Sequence, residues 1–544
     1  MPYVMPFIVG MVVTMALLPM LARLASRWLI IDHPGARKVH SAPVPRVGGI
    51  AMALGVLVAA LATMNLHVAD IWFLAAAGIL MIFGIADDRF DLDYRVKLIG
   101  QLIAVNIVVL AGDVRIQTIA LDDRIWLPGW VSLPLTVIFL VGVTNAVNLA
   151  DGLDGLAGGT TFLCLCAVAL LSSIGGPGAS TALALAFAGA VLGFLRFNTY
   201  PASVFMGDAG SQLLGFGIGV LSIRATQNAS SEISAAIPIL LLALPILDTL
   251  SVMVQRVGEG RSPFSPDKNH IHHKLLALGF DHHEAVMVIY VAQGALFVSA
   301  YFLRYESDVV ILGFVAAFFV VAIAALQIAA HTDWRLREAH RNLGDSPLPR
   351  FLSVIPSVIP RVSYLALTAG IGTYAALIVI DTATLSSDFR ILVIALLAVI
   401  VAFFAVLRSS PLNVVEKAAL YVTATLLVYL DAVLLPENHI LSVLGWVAVT
   451  VAAVATAVRL RLFNDRRFQL TPLDLIVLFM ALVVPSLPGT LHLPHGGALA
   501  IAKLVILFYA LEMLVSRSEQ WAGWVRVAAA SVLAGLILRS VVFV

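Results

Sequence analysis

Four polar side chains recur at every third position of one short stretch: Asn145, Asn148, Asp151 and Asp154 in NAVNLADGLDGLAGG (145–159). Residues three apart share a helix face. The pattern predicts a polar stripe aimed at a cavity, with Leu149 and Leu153 turned to lipid or protein. A helix cap needs one such residue, not four. Gly152, Gly155, Gly158 and Gly159 weaken the helix and let a ligand approach the backbone. Asp87 and Asp88 stand side by side after the apolar run LMIFGIA, with Arg95 and Lys97 nearby. Carboxylates at a membrane boundary are costly unless solvated, paired or holding a cation, and the basic neighbours suit an anion.

MGDAGS sets Asp208 at a helix start, where backbone N–H groups attract anions. A divalent cation bridging that carboxylate to phosphate oxygens gives it a reason to be there. Mg2+ is typically held by one or two carboxylates plus substrate phosphates. HIHH supplies His270, His272 and His273. No cysteine or fourth histidine lies at zinc spacing, so phosphate contacts or proton carriage suit them better. His282 and His283 read as surface residues. Asp248, inside PILLLALPILDTLSVMVQR, is either a site acid or the buried partner of Arg256.

The elements that must carry these groups are membrane helices. The 544-residue chain is 61% hydrophobic and 12% charged, with a mean hydropathy of +1.00. A soluble protein cannot bury that much apolar surface, and the apolar runs have spanning length. The fold class expected is an all-α polytopic membrane protein. About eleven spans fall before residue 330 and about seven after it, taking roughly twenty residues per crossing. The first lacks a basic start and is too long for a signal peptide, so a retained helix is expected. The stretch GDVRIQTIALDDRIWLPGW suggests a β-hairpin turning at Asp122–Asp123. Three regions follow: 1–330, a polar linker at 331–361, and 362–544, which shows no carboxylate cluster or catalytic motif. Cys164 and Cys166, both in an apolar run, read as small core residues. A net charge of +1 gives no reason to expect a nucleic-acid partner.

Basic residues gather in alternate loops, at Arg37, Lys38 and Arg46, at Arg89, Arg95 and Lys97, at Arg256, Arg261, Lys268 and Lys274, and at Arg335, Arg337, Arg341 and Arg350. By the positive-inside rule these loops are cytoplasmic. Five polar blocks then fall at one membrane face: 32–49, 86–97, 145–159, 196–211 and 256–274. Together they predict one cytoplasmic site, with acids for Mg2+ and bases and backbone amides for phosphates. Phosphoryl transfer between a soluble phosphate donor and a lipid fits, since it needs positioning and charge neutralisation above all. A transporter or flippase for a phosphorylated lipid would instead place its polar groups at mid-membrane between inverted repeats.

RKVHSAPVPRVGG, DDRFDLDYRVK, NAVNLADGLDGLAGG, NTYPASVFMGDAGSQLLG and HIHH occur in this order across residues 1–330. With these blocks the chain resembles the polyprenyl-phosphate N-acetylhexosamine-1-phosphate transferase family, glycosyltransferase family 4. The resemblance implies transfer of a sugar-1-phosphate from a UDP-N-acetylhexosamine to undecaprenyl phosphate, with release of UMP and with Mg2+ or Mn2+ as cofactor. It also implies a bacterial inner (plasma) membrane setting and, by analogy, a homodimer. The first loop and HIHH are similar to the UDP-GlcNAc-using branch, which starts cell-envelope polysaccharides such as O-antigen. The phospho-MurNAc-pentapeptide transferase of peptidoglycan synthesis tends to have a KGTPTMGG-like loop and three consecutive histidines, absent here.

Carried over by motif, Asp208 matches the metal-binding aspartate and Asn148 an asparagine that joins it. Asp87 matches the aspartate proposed to deprotonate the lipid phosphate, with Asp88 beside it, and Lys97 matches a diphosphate contact. Asp154 and Asn198 match uridine-side positions, with Phe205 as a uracil-stacking partner. Arg46 and Asn145 are placed on the UDP-sugar side, and Asp151 among the catalytic residues. The roles of His270, His272 and His273 stay open. The reaction implied is direct attack of a lipid phosphate oxygen on the β-phosphorus, with a two-step aspartyl-phosphate route as the alternative.

Overall fold

The computed structural model describes residues 4–32, 43–121, 124–174, 178–227, 232–262, 269–332, 358–382, 387–406, 414–434, 439–462, 472–486, 497–516 and 518–542. The chain divides into two compact units, Met1–Asn342 with Thr471–Ile476, and Leu343–Leu470 with Val477–Val544. It is almost wholly helical. Among the described residues nine helices are long and apolar enough to cross a membrane, and shorter apolar helices accompany them. The expected all-α polytopic membrane architecture is therefore what the chain forms.

The first unit contains α1 (Val4–Trp28), α2 (Gly48–Thr63), α3 (Val68–Phe90), α4 (Tyr94–Leu110), α5 (Gly129–Ala150), α6 (Leu156–Ile174), α7 (Ala179–Asn198) and α8 (Gly207–Thr226). The short α9 (Ile237–Leu241), then α10 (Ala243–Gly258), α11 (Ile271–Ala277), α12 (His282–Phe302) and α13 (Asp308–His331) complete it. At its centre stands α8, packed on α2, α3, α5 and α6. Every residue of α8 except Gly207, Asp208 and Arg224 is buried. Its sequence, GDAGSQLLGFGIGV, explains the position, because small residues let helix backbones approach closely in a membrane. The backbone of Ala209 lies so near Gly84 of α3 that a Cβ there would meet its Cα at 2.4 Å.

Two small antiparallel ladders interrupt the helices. The expected hairpin exists as β3 (Thr118–Ala120) paired with β4 (Arg124–Trp126), in the register Thr118↔Trp126 and Ala120↔Arg124. Its proposed turn at Asp122–Asp123 lies outside the described residues. Ala120 N–H donates to the Asp308 carboxylate at 2.6 Å, which ties the hairpin to α13. The other ladder, β1 (Ile31–Asp32) with β2 (Val44–Pro45), carries no clear signal in the sequence. It sets Asp32 beside Arg46.

The second unit is built from α14 (Val358–Asp381), α15 (Ser387–Val406), α16 (Val414–Leu434), α17 (His439–Leu462), most of α18 (Pro472–Ser486), α19 (Gly497–Ser516) and α20 (Ser518–Val542). Its core is aliphatic and includes Val393, Val449, Leu533 and Leu536. It also holds two buried ion pairs that isolated charges in apolar runs did not announce. Arg526 on α20 grips Glu416 on α16 at 2.5 and 3.0 Å. Lys503 on α19 reaches Asp431 on α16 at 2.5 Å, and the Tyr374 hydroxyl donates to the same carboxylate at 2.9 Å. Much of the expected linker, with its arginines, lies outside the described residues, as do Arg37, Lys38 and Lys268.

Candidate active site

The site begins where α3 stops. Asp91 takes a left-handed conformation (φ 51°), and its N–H bonds back to the Asp87 carbonyl oxygen. Aspartate tolerates that conformation better than most side chains. Asp93 then caps α4, accepting the Arg95 N–H at 2.9 Å. This tight corner brings Lys97, in the first turn of α4, back over the end of α3. Its ammonium sits between two carboxylates, 2.6 Å from Asp87 Oδ2 and 3.1 Å from Asp208 Oδ2. Asp87 Oδ1 accepts the Leu92 N–H, and the side chain is 1% exposed. Neither Asp87 nor Lys97 lines the cleft described below; Lys97 is joined to it through Asp208, which does.

Asp88 has a different task. Its two oxygens accept the Asp208 and Ala209 N–H groups at 2.9 and 3.1 Å. A carboxylate from α3 therefore fills the anion-attracting start of α8. Gly207 makes this approach possible: its φ is +70°, and a Cβ would lie 2.4 Å from Asp88 Oδ2. Because Asp88 supplies these contacts, Asp208 is no cap. Its Oδ1 accepts from Asn148 Nδ2 at 2.8 Å, and the remainder of its carboxylate faces Lys97 and the cleft. The same Asn148 amide donates to Ser211 at 2.7 Å, which commits the nitrogen end of the side chain.

These groups open on a cleft of about 760 Å³. All five polar regions contribute to its wall. They supply Arg46, Asp88, Asn148, Asp151, Asp154, Asn198, Phe205, Asp208 and His273. Arg46 is anchored 2.5 Å from Asp32 and lies 3.8 Å from Asp88. Asp151 is an exposed residue of the cleft wall. Reduced solvation beside that wall, and then the negative charges of Asp208, Asp88 and Asp154, raise its pKa.

The expected continuous stripe is divided. α5 ends at Ala150, so Asn145 and Asn148 lie on a helix while Asp151 and Asp154 lie on the following turn. Asn145 does not reach the cleft. It exchanges hydrogen bonds with Gln101, which also contacts Gln212, in a polar cluster behind the wall. Asn198 lines the cleft but is a brace: it accepts from Gly155 N and donates to the Val204 carbonyl. Asp154 accepts the Ala202 N–H at 2.9 Å. Gly152 lines the cleft and is also packed against a side chain. A Cβ there would lie 2.3 Å from His272 Nε2, so the space belongs to a side chain of the protein.

The histidine block also divides. His270 Nδ1 lies 2.8 Å from Asp248 Oδ2, and Asp248 Oδ1 accepts the Ile271 N–H. Of the two readings of Asp248, a site acid or a partner of Arg256, the structure shows neither pairing with Arg256 nor a place in the cleft wall: Asp248 anchors α11 through His270 and the Ile271 N–H. His272 is buried against Gly152, and its pKa falls to about 4 through loss of solvation and the nearby His273. His273 reaches the cleft. His282, expected at the surface, lines the cleft too: its Nε2 accepts the Asp154 N–H at 2.9 Å and its ring stacks on Tyr200. Sequence reasoning missed both members of this pair, although Tyr200 lies in a block already marked as polar.

Among the described residues no group of three or more His, Cys, Asp or Glu side chains converges on a metal position. The donor set nevertheless fits a hard cation shared with phosphates: one cleft-facing carboxylate, Asp208, beside an Asn148 whose carbonyl end makes no hydrogen bond.

Residues 70–226 match the family model for glycosyl transferase family 4. The chain is 36% identical over 305 residues to a probable undecaprenyl-phosphate N-acetylglucosaminyl 1-phosphate transferase of Bacillus subtilis, covering 55% of this chain and 85% of that protein. It is 38% identical over 312 residues to decaprenyl-phosphate N-acetylglucosaminephosphotransferase of Mycolicibacterium smegmatis, with 50% and 75% covered. Identity to undecaprenyl-phosphate alpha-N-acetylglucosaminyl 1-phosphate transferase of Escherichia coli is 28% over 344 residues, with 60% and 92% covered.

Proposed function

The chain belongs to glycosyl transferase family 4, and from that premise we propose its reaction: transfer of N-acetylglucosamine-1-phosphate from UDP-N-acetylglucosamine to undecaprenyl phosphate, releasing UMP. It is a phosphotransferase of the polyprenyl-phosphate N-acetylglucosaminyl-1-phosphate class. The observation that carries the reading is that five polar regions, far apart in sequence, open on one cleft. A nucleoside diphosphate sugar needs cations for its phosphates, a flat surface for its base and polar groups for its sugar. Arg46 and Lys97 supply charge, Phe205 a ring face, and Asp151, Asp154 and His273 polar contacts.

In the proposed step a lipid phosphate oxygen attacks the β-phosphorus of the donor. A new P–O bond forms, the bond to UMP breaks, and the sugar–oxygen bond is untouched. Lys97, held by Asp87 and Asp208, faces the negative charge that builds on the phosphoryl oxygens. Asp88 fixes the start of α8 and hence the position of Asp208. Mg2+ or Mn2+ would be held by Asp208 and Asn148 together with donor phosphates, and would supply charge neutralisation. Asp87 is given the task of orienting Lys97 rather than removing a proton, because both its oxygens are engaged. The proposed setting is a bacterial plasma membrane with the cleft on the cytoplasmic side, which Arg46, Arg89, Arg95 and Lys97 at that end support. A homodimer is proposed by analogy.

The test uses purified protein in detergent with undecaprenyl phosphate and Mg2+, offered UDP-GlcNAc, UDP-GalNAc and UDP-MurNAc-pentapeptide in turn. UMP release with UDP-GlcNAc alone, dependent on lipid and abolished by chelation, is expected. Folded protein that releases no UMP from any of the three refutes the reading and returns attention to transport.

A further inference from the structure

The turn between α5 and α6 carries Asp151 and Asp154 into the cleft wall, and three backbone bonds hold it. Asn198 Oδ1 accepts the Gly155 N–H at 2.9 Å, the Tyr290 hydroxyl donates to the Gly155 carbonyl at 2.6 Å, and His282 Nε2 accepts the Asp154 N–H at 2.9 Å. The amide and the phenol keep their hydrogen-bonding roles across the physiological pH range. An imidazole does not. An N–H donates to Nε2 here, so that nitrogen carries no proton and the ring is neutral, with its hydrogen on Nδ1.

The ring is also fixed from the side. Its centroid lies 4.5 Å from that of Tyr200, at an interplanar angle of 24°. Tyr200 follows Asn198, and the Asp154 carboxylate accepts the Ala202 N–H at 2.9 Å. His282 therefore sits where the 151–155 turn, the 198–202 segment and the start of α12 meet, and both His282 and Tyr200 line the cleft.

We propose that neutral His282 is a positioning residue for the transfer reaction, fixing the turn that presents Asp151 and Asp154 to the donor. The inference rests on the reaction proposed above. A second proton on His282 removes the acceptor and leaves the Asp154 N–H without its partner. The turn's backbone then keeps two of its three bonds, and the Asp154 side chain keeps its bond from the Ala202 N–H. The charged or titratable groups around the ring are Asp154 on the turn, His283 on α12, and His272 and His273 on α11. The Asp154 carboxylate can attract the imidazolium, but that contact pulls on the side chain instead of holding the backbone N–H.

Two substitutions separate the hydrogen bond from the ring. His282→Phe keeps a ring against Tyr200 and loses the acceptor. His282→Gln keeps an acceptor and cannot titrate. Loss of one neutral hydrogen bond predicts that His282→Phe lowers kcat about fivefold to tenfold. His282→Gln should hold most of the turnover near pH 7.5; burial lowers the His282 pKa below the ordinary 6.5, so a rise in its activity relative to wild type belongs to pH values below that. Hydrogen–deuterium exchange reads the turn without the reaction: the peptide covering 151–156 should exchange faster in His282→Phe than in wild type and His282→Gln. If the wild-type protein transfers nothing, the reaction proposed above fails while the exchange result still decides the tie. Wild-type turnover in His282→Phe, or unchanged exchange of the 151–156 peptide in a His282→Phe protein that melts like wild type, overturns the proposal.

Discussion

Replacing Lys97 by methionine should injure the protein twice, and the two injuries can be separated. The ammonium lies 2.6 Å from Asp87 Oδ2, in a pair whose side chains are 28% and 1% exposed. Methionine keeps much of the stem and removes the charge, which leaves Asp87 buried without its cation. Breaking a buried ion pair from one side typically costs about 3–5 kcal/mol. The partial exposure of Lys97 puts the expected loss near the lower end, about 3 kcal/mol. Asp208 is 34% exposed and retains its bond from Asn148, so it adds little to that loss. Adding Asp87→Asn should restore most of the stability by removing the stranded charge. It should not restore turnover, because the Lys97 ammonium is missing from its place beside Asp208 and Arg46 is then the remaining side-chain cation of the described cleft wall for the phosphates. Removing one preorganised electrostatic group typically costs about 10²–10³ in kcat. Thermal melting in detergent and UMP release, on the single and double variants, read the two effects separately. A Lys97→Met protein that turns over like wild type would refute the role given to the ammonium. A double variant no more stable than Lys97→Met would refute the account of Asp87 as its anchor.

Three further outcomes follow from the same geometry. Asp208→Asn should reduce transfer by at least about 10²; near wild-type turnover at ordinary Mg2+ would remove the metal assignment. Gly152→Ala places a methyl group 2.3 Å from His272 Nε2 and should cost about 1–3 kcal/mol, seen as a lower melting temperature. His272 titrates near 4 in the folded protein against an ordinary value of 6.5, so between those values only the unfolded chain binds the proton. Stability is therefore complete above about pH 6.5 and declines by up to about 1.4 kcal/mol per pH unit down to about pH 4. Melting curves of wild type and His272→Asn should converge over that window, and parallel curves would show that His272 does not carry the effect.

The parts legible in the sequence were those written as long patterns. Apolar runs announced the helices, and a short apolar alternation broken by Asp122–Asp123 announced the β3–β4 hairpin. Polar blocks ending apolar runs announced the cleft. What stayed hidden depended on contacts between distant segments. Asn145 and Asn148 share a residue type and a helix, yet only tertiary packing sends one to Gln101 and the other to Asp208. Asp87 and Asp88 are neighbours in sequence, but a helix turns them about 100° apart. One meets Lys97 and the other caps α8. His282 looked like a solvated helix start because its partner is a backbone N–H, which no side-chain pattern reveals.

The two buried ion pairs of the second unit bear on the order in which the chain is made. Glu416 and Asp431 both belong to α16, and their cations arrive much later, Lys503 72 residues after Asp431 and Arg526 110 residues after Glu416. While synthesis proceeds from the N-terminus, Lys503 and Arg526 reach α16 only after Asp431 and Glu416 have been made, and a carboxylate is costly in hydrocarbon. The helix reaches its final environment only when α19 and α20 emerge. A ribosome that stops between residues 435 and 502 leaves both acids and neither cation. Such a product should accumulate less in membranes than the full chain, which holds both cations.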